Sequence, residues 1–167
     1  MDAALLFVRL VIGLGLAAHG SQKLFGWFGG YGLAGTGGFF EQLGFRPGRL
    51  FVLGAGLGET VGGVLVVLGL GGAIGPAMIV MVMLVAIFTV HISKGFFITN
   101  GGWELNAAYI AASVGLAYVG FGAYALDNVL GLQYLSSPQA ASICMGAAVV
   151  LTVLNLLVRR PAAQQAG

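Results

Sequence analysis

Three cationic side chains interrupt the first apolar stretch of the sequence, residues 8–26. Arg9, His19 and Lys23 stand there among Leu, Val, Ile, Ala and Gly residues. At about 100° per residue, the three lie within an arc of roughly 80° on one face of a helix. Ionisable groups on one face of an apolar helix are expected to point into the protein interior, where they bind ligands, carry protons or pair with other charges.

A second group of polar residues lies where later apolar stretches end and begin. His91 ends one stretch, and Glu104 with Asn106 begins the next, across the segment HISKGFFITNGGWELN. If successive stretches run antiparallel, these residues reach the same level as His19 and Lys23. The sequence therefore predicts a pocket whose imidazoles, ammonium, carboxylate and amide can stabilise negative charge and exchange protons.

Glu59 is the carboxylate expected to pair with Arg9. At about 1.5 Å per residue, Arg9 lies roughly 9 Å from one membrane face and Glu59 roughly 13 Å from the other, within reach of a long arginine side chain. Such a pair either supports function or only sets helix register. Lys23 and His91 also have structural alternatives, as an interfacial cation and an interfacial hydrogen-bonding group.

These predictions define two overlapping sets of candidate residues and no metal site. The candidate catalytic residues are His19, Lys23, Glu104 and His91. The candidate cofactor-binding residues are Arg9, His19, Lys23, Glu59 and Asn106.

The composition is that of a protein surrounded by lipid. Of 167 residues, 59% are hydrophobic and 7% are charged, whereas soluble domains carry about 25% charged residues. The net charge is +2 and no basic stripe with interleaved aromatic residues is present, so nucleic-acid binding is not expected. The single cysteine, Cys144, excludes an intrachain disulfide or a Cys-x-x-Cys redox pair.

Five apolar stretches are long enough to cross a bilayer, which takes ~20 helical residues for ~30 Å of hydrocarbon. They cover residues 3–25, 50–70, 73–93, 104–124 and 139–158. We expect an all-α membrane protein in two parts. Residues 1–127 form an antiparallel four-helix transmembrane bundle, and residues 128–167 form an additional C-terminal transmembrane helix with a short tail.

The distribution of cations predicts the orientation in the membrane. Side B denotes the end that the first helix reaches, and side A the opposite end. The cations on or near side B are Lys23, Arg46, Arg49, Lys94, Arg159 and Arg160. Because positive loops stay in the cytoplasm, side B is expected to be cytoplasmic, with the N-terminus outside and the C-terminus inside.

Small residues repeat at helical spacing along three of the stretches. The ridges are Gly54, Gly58 and Gly62; Gly13, Ala17 and Ser21; and Ala107, Ala111 and Gly115. Close packing through small residues drives helix association in lipid, so these ridges are expected to join helices within the chain or between copies in a homo-oligomer.

The connection between the first two stretches has two interpretations. Its segment TGGFFEQLGF forms either a short interfacial helix with Phe39, Phe40 and Leu43 toward lipid, or a glycine-rich loop that covers the bundle.

Four stretches, in this order, resemble the DoxX family of small bacterial membrane proteins: RLVIGLGLAAHGSQKLFG, ETVGGVLVVLGL, NGGWELN and GFGAYALD. The resemblance implies a four-helix bundle in the bacterial inner membrane. It also implies that Arg9, His19, Gly20, Lys23, Glu59 and Glu104 occupy family motif positions. Members serve as subunits of a thiosulfate:quinone oxidoreductase or associate with thiol and superoxide defence enzymes. The segment 139–158 departs from the four-helix pattern.

Three functions are compatible with these features. The first is a membrane redox or stress-defence component that binds a quinone-like molecule in the polar pocket, with a soluble redox enzyme as partner. The second is a haem or metal site, because His19 and His91 lie at similar depth on different helices. The third is a non-catalytic scaffold or partner-binding subunit.

Overall fold

The computed structural model describes residues 1–160, and no β-strand occurs in that range. Its helices are α1 (Asp2–Phe25), α2 (Gly32–Gln42), α3 (Gly48–Leu68), α4 (Ile74–Ala86), α5 (Glu104–Val119), α6 (Leu126–Leu130) and α7 (Pro138–Leu157). The structure does not describe residues 161–167, so this part of the predicted C-terminal tail lies outside the described residues.

Four helices in the described part of the chain are long and apolar enough to cross a membrane. They are α1, α3, α7 and α4 with its continuation to Lys94. These four agree with the predicted stretches to within two residues at each end. The predicted stretch 104–124 is the exception, since α5 ends at Val119 and is about 24 Å long at 1.5 Å per residue.

Glycine ends α5 early. Gly120 and Gly122 have φ angles of 87° and 77°, in the left-handed region that favours glycine. The chain therefore leaves the helix after Val119, and the carbonyl of Phe121 becomes available to a side chain from another helix. The prediction of a helix to residue 124 is wrong for this reason.

The last turns of α4 depart from α-helical geometry. Ile87–His91 form a π-helical turn and Ile92–Lys94 a 3-10 turn. Thr89 donates its hydroxyl hydrogen to the carbonyl of Val85 at 2.7 Å, a bond that commonly bends helices. The change in geometry sets the direction in which the His91 side chain projects from the helix.

The helix ends meet in two groups that match sides A and B. On side B, Arg159 and Arg160 at the end of α7 donate hydrogen bonds to the carbonyls of Leu43 and Gly44 between α2 and α3. On side A, Asp2 at the start of α1 accepts a hydrogen bond from the backbone N–H of Ala123 at 2.9 Å. Each side is thus held together by bonds between distant parts of the chain.

The connection between α1 and α3 contains a helix, as the first of the two interpretations predicts, and is not a loop without helical structure. This helix, α2, packs mainly on α3. Phe39 is 44% exposed, whereas Phe40 and Leu43 are half-buried and face the protein. Of the three side chains predicted to point to lipid, only that of Phe39 is exposed.

Helices α1 and α3 are in close contact through glycine. A Cβ atom on Gly63 would lie 2.5 Å from the carbonyl oxygen of Gly13 and 2.8 Å from the backbone nitrogen of Ala17. Nearer side B, Gly20 and Gly56 leave no room for side chains between the same two helices. The two backbones therefore touch from Gly13 to Gly20, about 10 Å along the helix axis, the arrangement by which helices associate in lipid.

The predicted ridge on α3 faces a different neighbour. Gly58 and Gly62 contact α4 at Val82 and Met78, and Gly54 has open space beside it. Because successive helix positions differ by about 100°, the glycines at 56 and 63 lie on the α1 side, and those at 58 and 62 lie on the α4 side. Glycine-rich α3 is thus packed on two faces within one chain.

Arg9 is the largest fully buried side chain, at 1% exposure, and binds the side A end of α3. It donates hydrogen bonds to the carbonyls of Val66 at 3.0 Å, Val67 at 2.7 Å and Phe121 at 3.0 Å. The carbonyls at a helix C-terminus lack intrahelical partners and carry partial negative charge. Arg9 therefore supplies the donors that the last turn of α3 requires.

Asp127 binds the next part of the same turn. Its carboxylate accepts hydrogen bonds from the N–H groups of Gly71 at 2.8 Å and Gly72 at 2.7 Å, and it is 2% exposed. Its negative charge also acts on Arg9. We call Arg9, Asp127 and the turn between α3 and α4 the Arg9–Asp127 cluster; it compensates two buried charges and fixes the side A end.

Substitution at the α1–α3 contact is expected to destabilise the fold. In Gly63→Ala, the added methyl group must displace backbone, which costs about 1–3 kcal/mol. Gly115→Ala is the matched control, because nothing lies within 4 Å of a Cβ at that position. Thermal unfolding of detergent-purified protein should show a lower Tm for Gly63→Ala only. Equal Tm values for the two variants would contradict the close contact.

Loss of Arg9 is expected to destabilise the protein through the carbonyl groups that lose its donors. Arg9→Met should cost about 1–3 kcal/mol, since it takes the guanidinium away from the carbonyls of Val66, Val67 and Phe121. Arg46→Met, at an exposed cation, is the control and should have little effect. Unfolding free energies of the two variants check this, and equal values would contradict the structural role of Arg9.

Candidate functional site

A polar cavity of about 210 Å³ lies between α1, α3, α4 and α5 near side B. Its polar lining consists of His19, Lys23, Glu59, His91, Asn106 and Tyr109, and its apolar lining of Leu16, Met83, Ala86, Ile98 and Leu105. The antiparallel threading expected from the sequence placed most of these polar residues at one level. We refer to this space as the polar cavity.

The centre of the polar cavity is an ion pair across the α1–α3 contact. Lys23 donates a hydrogen bond from Nζ to Oε1 of Glu59. The Glu59 side chain is 3% exposed and that of Lys23 is 27% exposed. The predicted Arg9–Glu59 pair is therefore wrong. Lys23, near the end of α1, is the cation that pairs with Glu59. Arg9 lies at side A and donates its hydrogen bonds to carbonyl groups there.

One oxygen of Glu59 has no partner. Oε2 is buried and accepts no hydrogen bond from any described residue, while Oε1 is held by Lys23. A buried polar atom without a partner costs free energy, and most such atoms are satisfied by protein, water or a ligand. Glu59 also lines the cavity, so its carboxylate has an acceptor oxygen that no described residue uses.

Both imidazoles offer an acceptor nitrogen. Nδ1 of His91 lies 2.7 Å from the carbonyl oxygen of Gly101, so Nδ1 carries a hydrogen, and in the neutral ring Nε2 has the lone pair. Nδ1 of His19 lies 3.2 Å from Oε1 of Gln22, whose amide nitrogen donates to the carbonyl of Phe28. In neutral His19, Nε2 is therefore also the acceptor.

Asn106 and Tyr109 complete the polar lining from α5. The amide of Asn106 is 8% exposed and donates to the sulfur of Met83 at 3.4 Å, a weak acceptor. Tyr109 lies across from Gly15, where a Cβ would be 2.9 Å from the phenol oxygen. Sequence reasoning missed Tyr109, although its spacing of three residues from Asn106 puts both on one helix face.

A larger apolar space of about 430 Å³ adjoins the polar cavity. We call it the apolar chamber; its own lining comprises Phe39, Phe40, Leu43, Phe45, Leu50, Phe51, Gly54, Ala55, Met81, Val82, Val85, Thr89, Val90 and Asn155. Lys23, Ala86 and His91 line both spaces. The two spaces therefore share a wall, with charge on one side and hydrocarbon on the other.

Two predicted site residues lie outside the polar cavity. Arg9 is at the side A end, as described above. Glu104 accepts a hydrogen bond from the backbone N–H of Ile98 at 2.9 Å, so its carboxylate holds the loop before α5. The sequence predicted that the carboxylate in this pocket belongs to Glu104. The carboxylate that lines the polar cavity belongs to Glu59.

The described residues contain no group of three or more His, Cys, Asp and Glu side chains that can hold a metal ion. Cys144, half-buried on α7, is a free thiol and lines neither space.

Comparison with known proteins identifies the family. The DoxX family model matches residues 4–92, slightly more than half of the chain. No curated protein and no solved structure matches the chain. The matched residues include Lys23, Glu59 and the π-helical turn that carries His91. Together with the four apolar helices, the match shows that this chain is an integral membrane protein and belongs to the DoxX family.

Proposed function

We propose that the polar cavity binds the head group of a quinone-like molecule and that the protein is the membrane component of a redox or stress-defence system. The observation that carries this proposal is the buried, unpartnered Oε2 of Glu59 in a cavity within the helix bundle. Intramembrane ionisable groups generally mark functional sites. Here Lys23 holds one oxygen of the Glu59 carboxylate, and the other oxygen has no partner among the described residues.

The polar cavity offers both hydrogen-bond acceptors and donors to a head group. Oε2 of Glu59 and Nε2 of both histidines, when neutral, are acceptors. The Lys23 ammonium, with one hydrogen on Glu59, keeps two further N–H donors. A hydroxyl on the ligand satisfies the acceptors and a carbonyl oxygen satisfies the donors, so the lining is compatible with the quinol and the quinone forms of a head group.

A bound quinol supplies a redox couple in which electrons travel together with protons. In this chain, Glu59 is positioned to accept a proton from a ligand hydroxyl, and Lys23 stabilises the charged carboxylate before that transfer. His91 lines the same cavity with a free Nε2, and His19 is exposed near side B. These residues supply successive proton acceptors between the buried carboxylate and the side B surface.

We also propose the arrangement in the membrane. The five helices α1, α3, α4, α5 and α7 cross it in antiparallel order, as a bundle with an additional C-terminal helix. The N-terminus lies outside and the C-terminus lies in the cytoplasm of a bacterial inner membrane. The hydrogen bonds that join helix ends on each side and the cations near side B support this orientation.

Electron exchange then requires a partner, since the chain has a single cysteine and no metal cluster among its described residues. A soluble redox enzyme that docks on side B is the proposed partner, because the polar cavity lies near that side. Homo-oligomer formation through exposed small residues such as Gly115 and Gly146 is a further proposal.

Removal of the Glu59 charge is expected to weaken head-group binding. In Glu59→Gln, a tailless benzoquinol should bind about 10- to 100-fold more weakly, because a hydrogen bond to a charged group is worth about 1.5–3 kcal/mol. Glu41→Gln is the matched control, as Glu41 is an exposed side B carboxylate outside both spaces. Calorimetric titration of the purified, folded variants gives the affinities. Equal binding by the two variants would contradict the proposal.

A bis-histidine haem site is the second candidate, and one observation favours it. His19 and His91 line the same cavity, and each has its Nδ1 held by an oxygen acceptor, which leaves Nε2 for a metal. Haem bound in this way has an intense visible absorption band that disappears when either histidine is changed to alanine. An absorption spectrum of gently purified protein distinguishes this candidate from the quinol site.

A further inference from the structure

The apolar chamber extends along the helices from side B toward the middle of the membrane. Its lining follows α4 and the π-helical turn from Val90, near side B, to Met81, about 13 Å deeper at 1.5 Å per residue. On α3, Leu50 lines its side B end and is 61% exposed, and Gly54, one turn deeper, is exposed as well. The chamber is therefore open at the surface of a membrane-spanning helix, and it extends in the direction in which the acyl chains of a bilayer lie.

The walls of the chamber suit a hydrocarbon chain. Phe45 is 1% exposed and packs between the rings of Phe40 and Phe51, with centroid distances of 5.9 Å and 5.0 Å. Thr89 and Asn155, two polar residues of the lining, donate hydrogen bonds to carbonyl groups of their own helices at 2.7 Å and 3.0 Å. Most of the remaining lining is aliphatic or aromatic, so an alkyl chain buries apolar surface here.

Arginine side chains border the side B end of the chamber. Arg159 donates a hydrogen bond from Nε to the carbonyl of the lining residue Leu43 at 2.6 Å, and the two terminal nitrogens of its guanidinium are bonded to no described residue. Arg46 and Arg49 each adjoin a lining residue in the sequence, and both are exposed. We call Arg46, Arg49 and Arg159 the rim arginines. Guanidinium groups bind phosphate through paired N–H donors, so this end of the chamber has the donors that a phosphate requires.

The positive charge of the rim arginines is not balanced within the described part of the chain. Between residues 1 and 160 the structure has one ion pair, Lys23 with Glu59. Glu41, the carboxylate closest to the rim arginines in sequence, accepts a hydrogen bond from the backbone N–H of Gly48 at 3.1 Å. Lys23 also lines the chamber, but Glu59 balances its charge. The excess of positive charge therefore lies at the side B end, at the level of the lipid head groups of that leaflet.

From the open chamber and its charged end we infer that the apolar chamber binds one acyl chain of an anionic phospholipid whose phosphate lies on the rim arginines. Net charge selects this lipid. A zwitterionic phospholipid carries its own cation beside the phosphate, so unbalanced arginines favour a head group with a net negative charge, such as phosphatidylglycerol. This site requires neither a ligand in the polar cavity nor a passage between the two spaces.

Native mass spectrometry of the detergent-purified protein tests this site with two added lipids, phosphatidylglycerol and phosphatidylethanolamine with the same acyl chains. Arg49→Gln and Arg159→Gln each remove one rim cation, and Lys94→Gln is the matched control, at an exposed side B cation that lines neither space. Gly54→Leu fills the chamber at a position where nothing lies within 4 Å of a new Cβ. Gly146→Leu is its control, with equally open space but on α7 outside the chamber.

The two kinds of variant are expected to have different effects. Wild type should bind phosphatidylglycerol at least about fivefold more tightly than phosphatidylethanolamine, and loss of an arginine that contacts the phosphate should reduce this preference by about fivefold. Lys94→Gln should keep the preference. Gly54→Leu should weaken the binding of both lipids at least about tenfold, because exclusion of two methylene groups already gives this factor. Gly146→Leu should bind both lipids like wild type.

Several results would overturn the inference. Equal binding of the two lipids by wild type, or an unchanged preference in both arginine variants, removes the phosphate site. Unchanged binding by Gly54→Leu removes the acyl-chain site. A neutral lipid or a second copy of the chain that wild type retains and Gly54→Leu loses assigns the chamber to that occupant instead. Tm values confirm that each variant is folded, and Arg49→Gln decides alone if Arg159→Gln, which loses its bond to Leu43, does not fold.

Discussion

The close contact between α1 and α3 is the constraint on which both polar regions depend. Because Gly13 and Gly63 let the two backbones touch, charged side chains of α1 reach groups on α3 at both ends. Near side B, Lys23 meets Glu59. At side A, Arg9 reaches the last carbonyls of α3. Lipid gives helices no hydrophobic reason to associate, so small residues provide the close packing that positions every one of these groups.

The two polar regions differ in how completely their hydrogen bonds are made. Arg9 directs three donors to three carbonyl oxygens, and Asp127 accepts two backbone N–H groups. Glu59 has one oxygen bound and one free. A satisfied network rigidifies a structure, whereas a buried atom without a partner persists at a cost. The side A network therefore has a structural role, and the incomplete network lies where a ligand is proposed.

Helical periodicity and charge were enough to predict much of this fold and part of the site. Span boundaries and the convergence of His19, Lys23 and His91 on one cavity follow from apolar lengths and antiparallel threading. The hydrogen-bond partners of Arg9 could not be predicted, because depth estimates assume continuous helices and α5 ends before Gly120. The apolar chamber was also beyond prediction, because ordinary core residues such as Phe45 line it and only three-dimensional packing leaves the space open.

The Arg9–Asp127 cluster has a consequence for the order of biosynthesis. Arg9 enters the membrane with the first helix, but two of the groups that compensate it, the Phe121 carbonyl and Asp127, are synthesised more than a hundred residues later. The segment that the family model matches ends at residue 92 and so contains the arginine without its carboxylate. The Phe121 carbonyl, the third hydrogen-bond acceptor of Arg9, is thus available only after α5 has been made.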